Sequence, residues 1–244
     1  MRAFLRILVF TLAVVLLLVL GCSYCLISPR NPKHVYNFGR LFSLTSYIFG
    51  IRLELRLPQK GKEKGQSVFI SNHQNNWDMM TLSGAVTPKV VTVGKKSLLW
   101  LPLFGQLYWL TGNILIDRSN KIRARETIDH VVRKIKKSDI SVWIFPEGTR
   151  SRGSGLLKFK KGAFYAAIKA GVPITPIVCS STKKLKVNRR NNGVVIVEML
   201  PAISTEGYKT RNVAELTSLC YSVMKEKLDQ LDLEVEKRNK SLGC

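Results

Sequence analysis

Apolar and polar positions follow three rhythms along this chain. The first is a continuous run: residues 7–27 hold no charged side chain over 21 positions, with Arg2 and Arg6 before them and Arg30 and Lys33 after. A helix of that length and composition can cross a bilayer. A cleaved signal peptide normally has a shorter apolar region, although Val19-Leu20-Gly21-Cys22 loosely resembles a lipoprotein cleavage site. Positive charge concentrated after the run predicts that the body stays on the cytoplasmic side. The second rhythm is helical. Residues 35–51 are apolar but contain Arg40 and follow the turn Pro29-Arg30-Asn31-Pro32; they read as an amphipathic helix lying in a membrane interface or as a helix packed on a core. The two segments could pair as a hairpin, so that the first dips into one leaflet instead of spanning.

The third rhythm is alternation. Ile51-Arg52-Leu53-Glu54-Leu55-Arg56-Leu57 alternates without a fault, as a half-buried strand does, and marks the start of the folded body. A loop at 59–66 leads to the short apolar run Val68-Phe69-Ile70. Further strands are predicted at 89–93, 114–116, 142–145, 173–178 and 194–200. Between them lie helical patterns: a start at Met79, a face of Ile128, Val131, Val132 and Ile135 over 126–137, and a short helix over 162–170 that Gly171 stops. From Asn212 onward Val213, Leu216, Cys220, Met224, Leu228 and Leu231 recur as one stripe. Strands alternating with helices imply an α/β fold, a layered sandwich in which a mixed sheet is flanked by helices and sites sit at strand ends. The expected division is a membrane-anchoring segment over 1–52 and a folded domain over 53–244. Residues 97–110, rich in Leu, Trp, Phe and Tyr, are core, a membrane-facing surface or the wall of a slot for an alkyl chain.

Composition narrows the partners. At 244 residues and 45% hydrophobic, the chain has room for one domain with a real core and an appendage. Thirty-nine Lys and Arg against 16 Asp and Glu leave a formal net charge of +23, which implies an anionic partner: nucleic acid, anionic lipid or a phosphorylated substrate. The five cysteines at 22, 25, 179, 220 and 244 make neither a metal spacing nor an even disulfide framework. A reduced compartment fits them. Cys22 and Cys25 have a C-x-x-C spacing but lie inside the apolar run.

The candidate chemistry sits at two strand ends. His73 and Asp78 are separated by four residues in Ser71-Asn72-His73-Gln74-Asn75-Asn76-Trp77-Asp78. On one helix they would point roughly 140° apart and could not meet. An Asn-rich turn after a strand, with Asp78 at the next helix's start, lets them face each other. Such a pair does general-base work: the carboxylate holds the imidazole in one tautomer and stabilises the imidazolium that forms. No G-x-S-x-G elbow is present, so the hydroxyl to be activated can belong to a substrate. The second site is Pro146-Glu147-Gly148-Thr149-Arg150-Ser151-Arg152-Gly153, directly after the strand at 142–145. Glycine lets backbone N–H groups approach an oxyanion, and a guanidinium offers a planar fork to phosphate oxygens. Lys95, at another strand's end, is a further phosphate candidate by charge and position.

Taken in order, four stretches resemble the glycerolipid acyltransferase family. Asn72-His73 to Asp78 is similar to its H-x-x-x-x-D block, Gly112-Asn113-Ile114-Leu115-Ile116-Asp117-Arg118 to its second, Phe145-Pro146-Glu147-Gly148-Thr149-Arg150-Ser151 to its third and Val172-Pro173-Ile174-Thr175-Pro176 to its fourth. The resemblance covers nearly the whole chain and is nearest to the bacterial members that acylate lysophosphatidate to phosphatidate. It implies that His73 is the base, that Asp78 orients it, and that Arg118, Glu147, Gly148, Thr149 and Arg150 build the site for the glycerol phosphate. It further implies a donor on acyl carrier protein (acyl-ACP) or coenzyme A (acyl-CoA), no other cofactor, no metal, anionic lipid beneath the protein, no nucleic acid, and a place on the bacterial inner membrane. The rival readings are a membrane-tethered binder of anionic surfaces or nucleic acid, and a sister enzyme that acylates glycerol phosphate or another lysolipid.

Overall fold

The computed structural model describes residues 1–58, 65–117 and 121–243, with the side chains of 121–124 left aside. Arg118 and most of the loop expected at 59–66 lie outside the described residues. Seven strands form one sheet: β1 (Ile51–Arg56), β2 (Val68–Ser71), β3 (Val90–Lys95), β4 (Ile114–Ile116), β5 (Ser141–Ile144), β6 (Ile174–Cys179) and β7 (Gly193–Met199). Their order is β1-β7-β6-β2-β5-β3-β4. Every neighbouring pair is parallel except β6 with β7. The five strands from β6 to β4 therefore share one carboxyl end, and the expected mixed sheet between helices is what forms.

Helices α5 (Lys121–Lys137), α6 (Gly162–Ala170) and α7 (Val213–Ser241) pack against the sheet and each other. The predicted stripe on α7 is its buried face, continued by Val235. The unbroken alternation of β1 has a reason on each side. Leu53 and Leu55 line a cavity with Tyr36, Leu41 and Leu44, whereas Glu54 and Arg56 meet Arg238 and Glu234 of α7. Residues 51 and 52 are already rungs of this strand, opposite Gly193 and Val194.

The second apolar stretch is α2 (Lys33–Leu44) followed by a 3-10 turn, with His34, Val35, Gly39 and Phe42 buried. It is seated on the body, and its exposed side chains are Lys33, Asn37 and Arg40 with the apolar Leu41, Leu44 and Tyr47. An Asx turn leads into it, the Asn31 side-chain oxygen accepting from Lys33 N at 3.0 Å.

Helix α1 (Arg2–Ile27) is long and apolar enough to cross a membrane. One stripe of it touches the body along nearly its whole length. The Arg6 guanidinium donates to the carbonyls of Val187 and Arg190 at 3.1 and 3.0 Å. Phe10 sets its ring edge-on to Phe49 at 5.3 Å, and Leu18 and Cys25 are buried with Phe42 and Leu107 of α4 (Phe104–Leu110). The opposite face, with Leu5, Leu12, Leu16 and Leu20, is exposed. The greasy 97–110 stretch divides the same way: Gly105 and Leu107 are buried, while Trp100 is 81% exposed and Leu101 and Trp109 also face outward.

Candidate active site

His73 leaves the sheet two residues after β2, at the shared carboxyl end. The turn that follows is built from side chains reaching back to main chain. Asn75 Oδ1 accepts from Trp77 N at 2.9 Å, closing an Asx turn that brings Asp78, the first residue of the one-turn helix α3 (Asp78–Thr81), under the imidazole. Asp78 Oδ2 then accepts three hydrogen bonds: from His73 Nδ1 at 2.6 Å, Gln74 N at 2.7 Å and Asn75 N at 3.2 Å. A carboxylate only accepts, so the Nδ1 proton points at Asp78 and Nε2 keeps its lone pair. The Asp78 side chain is 4% exposed and that of His73 18%: the carboxylate is sealed and the imidazole reachable.

The turn is tied to the end of β6 by amides. Asn72 exchanges two hydrogen bonds with the Cys179 main chain at 2.8 and 2.9 Å. Gln74 Nε2 donates to the Cys179 and Ser180 carbonyls, and its Oε1 accepts from Thr182 N at 2.9 Å. These anchors were missed in the sequence. The available signal was the pair of amides at the end of an apolar strand, where each buried polar group requires a partner.

The second predicted loop runs alongside the first. Ser151 N donates to His73 O at 2.8 Å and Arg152 N to Gln74 O at 2.9 Å, and the Phe145 ring stacks on His73 with centroids 4.2 Å apart. Glu147, 2% exposed, accepts from His73 N at 2.6 Å on one carboxylate oxygen and from Leu157 N at 3.0 Å on the other. Both oxygens are thus engaged by main chain, so this side chain clamps the two loops. Gly148 turns the loop at φ 70°. Glycine adopts that left-handed conformation without strain, and the Lys160 ammonium, also missed in the sequence, lies beside it, 2.8 Å from where a Cβ would stand. Thr149 is exposed, and Arg150 reaches the His/Asp turn, donating to Asn76 Oδ1 at 2.7 Å. Lys95 is exposed at the end of β3, on the same sheet edge as His73 but two strands across, roughly 10 Å.

Burial pushes the Glu147 carboxyl up to about 7; the Asp78 charge adds to this, and the two N–H donors hold it back. The folded chain therefore keeps this proton more tightly than the unfolded one. The stability it contributes is full below about 4.5 and lost as pH rises through about 7. Between pH 5 and 8 the thermal unfolding midpoint of the wild type should fall relative to that of Glu147→Gln, which cannot titrate. Parallel midpoint curves would show that Glu147 is not clamped by burial.

The arrangement sets an imidazole oriented by a sealed carboxylate beside a loop that carries an exposed guanidinium, which suits proton removal from a hydroxyl next to an anionic group. Residues 52–180 match the family model Acyltransferase. The 1-acyl-sn-glycerol-3-phosphate acyltransferase of Escherichia coli strain K12 is 54% identical over 234 residues, covering 96% of each chain. That of Haemophilus influenzae is 47% identical over 240 residues, covering 98% of this chain and 100% of the other. The fold is also that of the crystal structure of the 1-acyl-sn-glycerophosphate (LPA) acyltransferase from Thermotoga maritima, with a TM-score of 0.76 and 21% identity, covering 95% of this chain and 98% of the other. A base and its carboxylate held between two loops that fall inside the matched region, with near full-length relatives on either side of 50% identity, make this chain a member of the acyltransferase family.

Proposed function

We propose that this chain transfers a fatty acyl group from an acyl thioester, on acyl carrier protein or coenzyme A, to the sn-2 hydroxyl of lysophosphatidate, giving phosphatidate for phospholipid synthesis. The observation that carries this reading is the 2.6 Å contact between His73 Nδ1 and the sealed Asp78 carboxylate, in a chain whose bacterial relatives carry the name of that activity. His73 Nε2 takes the hydroxyl proton as the oxygen attacks the thioester carbonyl. The C–O bond forms, the tetrahedral oxyanion collapses with loss of the thiolate, and the imidazolium returns its proton to that sulfur. Throughout, Asp78 balances the imidazolium charge. In this reading Arg150 takes the acceptor's phosphate, with Thr149, Lys95 and Arg118 as its partners; Gly148, whose N–H donates to Phe145 O at 3.1 Å, shapes the loop that carries them, and Glu147 holds it.

The acceptor is an amphiphile, and the outward apolar face of α1 with Trp100, Leu101 and Trp109 suits a protein seated in one leaflet. Crossing the bilayer would pull α1 away from contacts that run from Arg6 to Cys25. The seat is the bacterial inner membrane, the body faces the cytoplasm where acyl thioesters are made, and anionic lipid answers the +23 charge.

The test is an assay of purified protein with labelled acyl thioester against lysophosphatidate, glycerol 3-phosphate and lysolipids with other headgroups. Labelled phosphatidate is the expected product. Preferential acylation of glycerol 3-phosphate would make the chain the sister enzyme instead.

A further inference from the structure

The loop over 180–192, between β6 and β7, carries Lys183, Lys184, Lys186, Arg189 and Arg190 and no acidic residue. Because β6 pairs in parallel with β2, this loop leaves the sheet at the same end as His73. It is joined to the His/Asp turn directly: Thr182 N donates to Gln74 Oε1 at 2.9 Å and Asn75 Nδ2 to Thr182 Oγ1 at 2.8 Å. It also meets the other active-site loop, since the Lys183 stem lies where a Cβ on Gly153 would come within 3.2 Å.

The loop's path is held through its main chain. Asn192 accepts from Lys186 N and donates to the Lys186 and Phe49 carbonyls, each at 2.8 Å, and Arg6 of α1 donates to the carbonyls of Val187 and Arg190. Leu185 and Val187 turn inward onto the core, while Lys183, Lys184, Lys186 and Arg190 are exposed. Two acids of α7 lie beside the loop: Glu236, 3.8 Å from a Lys184 ammonium whose side chain is 82% exposed, and Asp232, which accepts from Ser181 N at 2.6 Å. Such a fixed backbone presents cations outward beside the catalytic turn. Unlike the α1 and α4 surface, this one shows no exposed large apolar side chain, so it suits a hydrophilic acidic partner better than the acyl region of a bilayer. Its charges are spread over eight consecutive positions, as the acidic face of a protein requires, instead of being gathered on a single phosphate.

We propose that this loop is the docking surface for an acidic protein that carries the acyl thioester on a pendant arm and delivers it to the opening at His73. The inference rests on the reading of the chain as an acyltransferase that draws on a thioester donor. Charge complementarity at such a surface acts mainly on encounter and selectivity, so the effect belongs in KM and its salt dependence.

The experiment replaces Lys183, Lys186 and Arg189 together by Glu, changes that leave the main-chain bonds in place. With acyl carrier protein as the thioester carrier, KM should rise about tenfold or more while kcat stays within about twofold. KM for acyl-CoA should change less than about threefold, and binding to phosphatidylglycerol vesicles should be retained. An unchanged KM for the carrier thioester overturns the proposal. An equal rise for acyl-CoA overturns it in favour of a small-anion site, and loss of vesicle binding overturns it in favour of a lipid surface. Wild-type protein that uses acyl-CoA but not the carrier thioester overturns it and leaves the acyltransferase reading intact, whereas transfer from neither donor overturns both. Should the triple variant misfold, the wild type decides: KM for the carrier thioester should rise with salt more steeply than KM for acyl-CoA, and equal slopes reject the docking surface.

Discussion

Replacing His73 by alanine is expected to lower kcat about 10²–10⁴-fold, the usual worth of a general base, while the protein stays folded and membrane-bound. The reason both halves hold is that almost every tie of residue 73 runs through its main chain. Its N–H reaches Glu147 and its carbonyl takes Ser151 N, and alanine keeps both. Only the Nδ1 bond to Asp78 and the ring stack on Phe145 are lost. Asp78 retains its bonds from Gln74 N and Asn75 N, so the turn keeps its frame. Steady-state kinetics with lysophosphatidate, beside circular dichroism and vesicle flotation, checks the claim. Folded His73→Ala protein with near-normal kcat would mean that another group removes the proton.

How much of this was legible in the sequence depends on how local each feature is. The His/Asp contact was legible because a short turn closes it: once a helix is ruled out by the 140° offset, Asn-rich turn chemistry leaves few alternatives. The faultless alternation of β1 was legible for the same reason, each residue answering to one face of the sheet. Helix starts were less so: the helix expected over 126–137 begins at Lys121, because Ile122 has only Arg125 and Glu126 three and four positions on and so opens no apolar face in the sequence. The expected helix after Asp78 is a single α-turn followed by a 3-10 turn at Ser83–Ala85, cut short before Pro88.

What could not be read is what depends on partners far away in the chain. Asn72 and Gln74 are satisfied by Cys179, Ser180 and Thr182, more than 100 residues on. The bonds of Glu147 to His73 N and Leu157 N, which fasten two loops, are announced by nothing in its own motif. Likewise, no local pattern announces that β7 runs antiparallel to β6. A pattern of buried strands reports burial and is silent on direction. The same long-range pairing places the basic 183–190 segment beside the active site.

Asp78→Asn is expected to be as damaging as loss of the base itself, at about 10³–10⁴-fold in kcat, with a measurable cost in stability. An asparagine that keeps its oxygen at the Oδ2 position can still accept from His73 Nδ1, Gln74 N and Asn75 N. It then carries no charge to stabilise the imidazolium, and its amide nitrogen occupies the place of Oδ1, a buried atom with no hydrogen-bond partner. A buried NH2 without an acceptor costs about 1–3 kcal/mol. The flipped amide does worse, setting N–H groups against two backbone donors and forcing the imidazole into the tautomer whose proton sits on Nε2, where the base must be free. Either orientation should leave KM for lysophosphatidate nearly unchanged, since Asp78 is sealed from substrate, and place the loss in kcat. An imidazole proton resonance bonded to a carboxylate, present in the wild type and absent in Asp78→Asn, would report the same change without turnover. If Asp78→Asn keeps wild-type kcat, the carboxylate is only a brace for the turn and the charge on His73 must be met elsewhere.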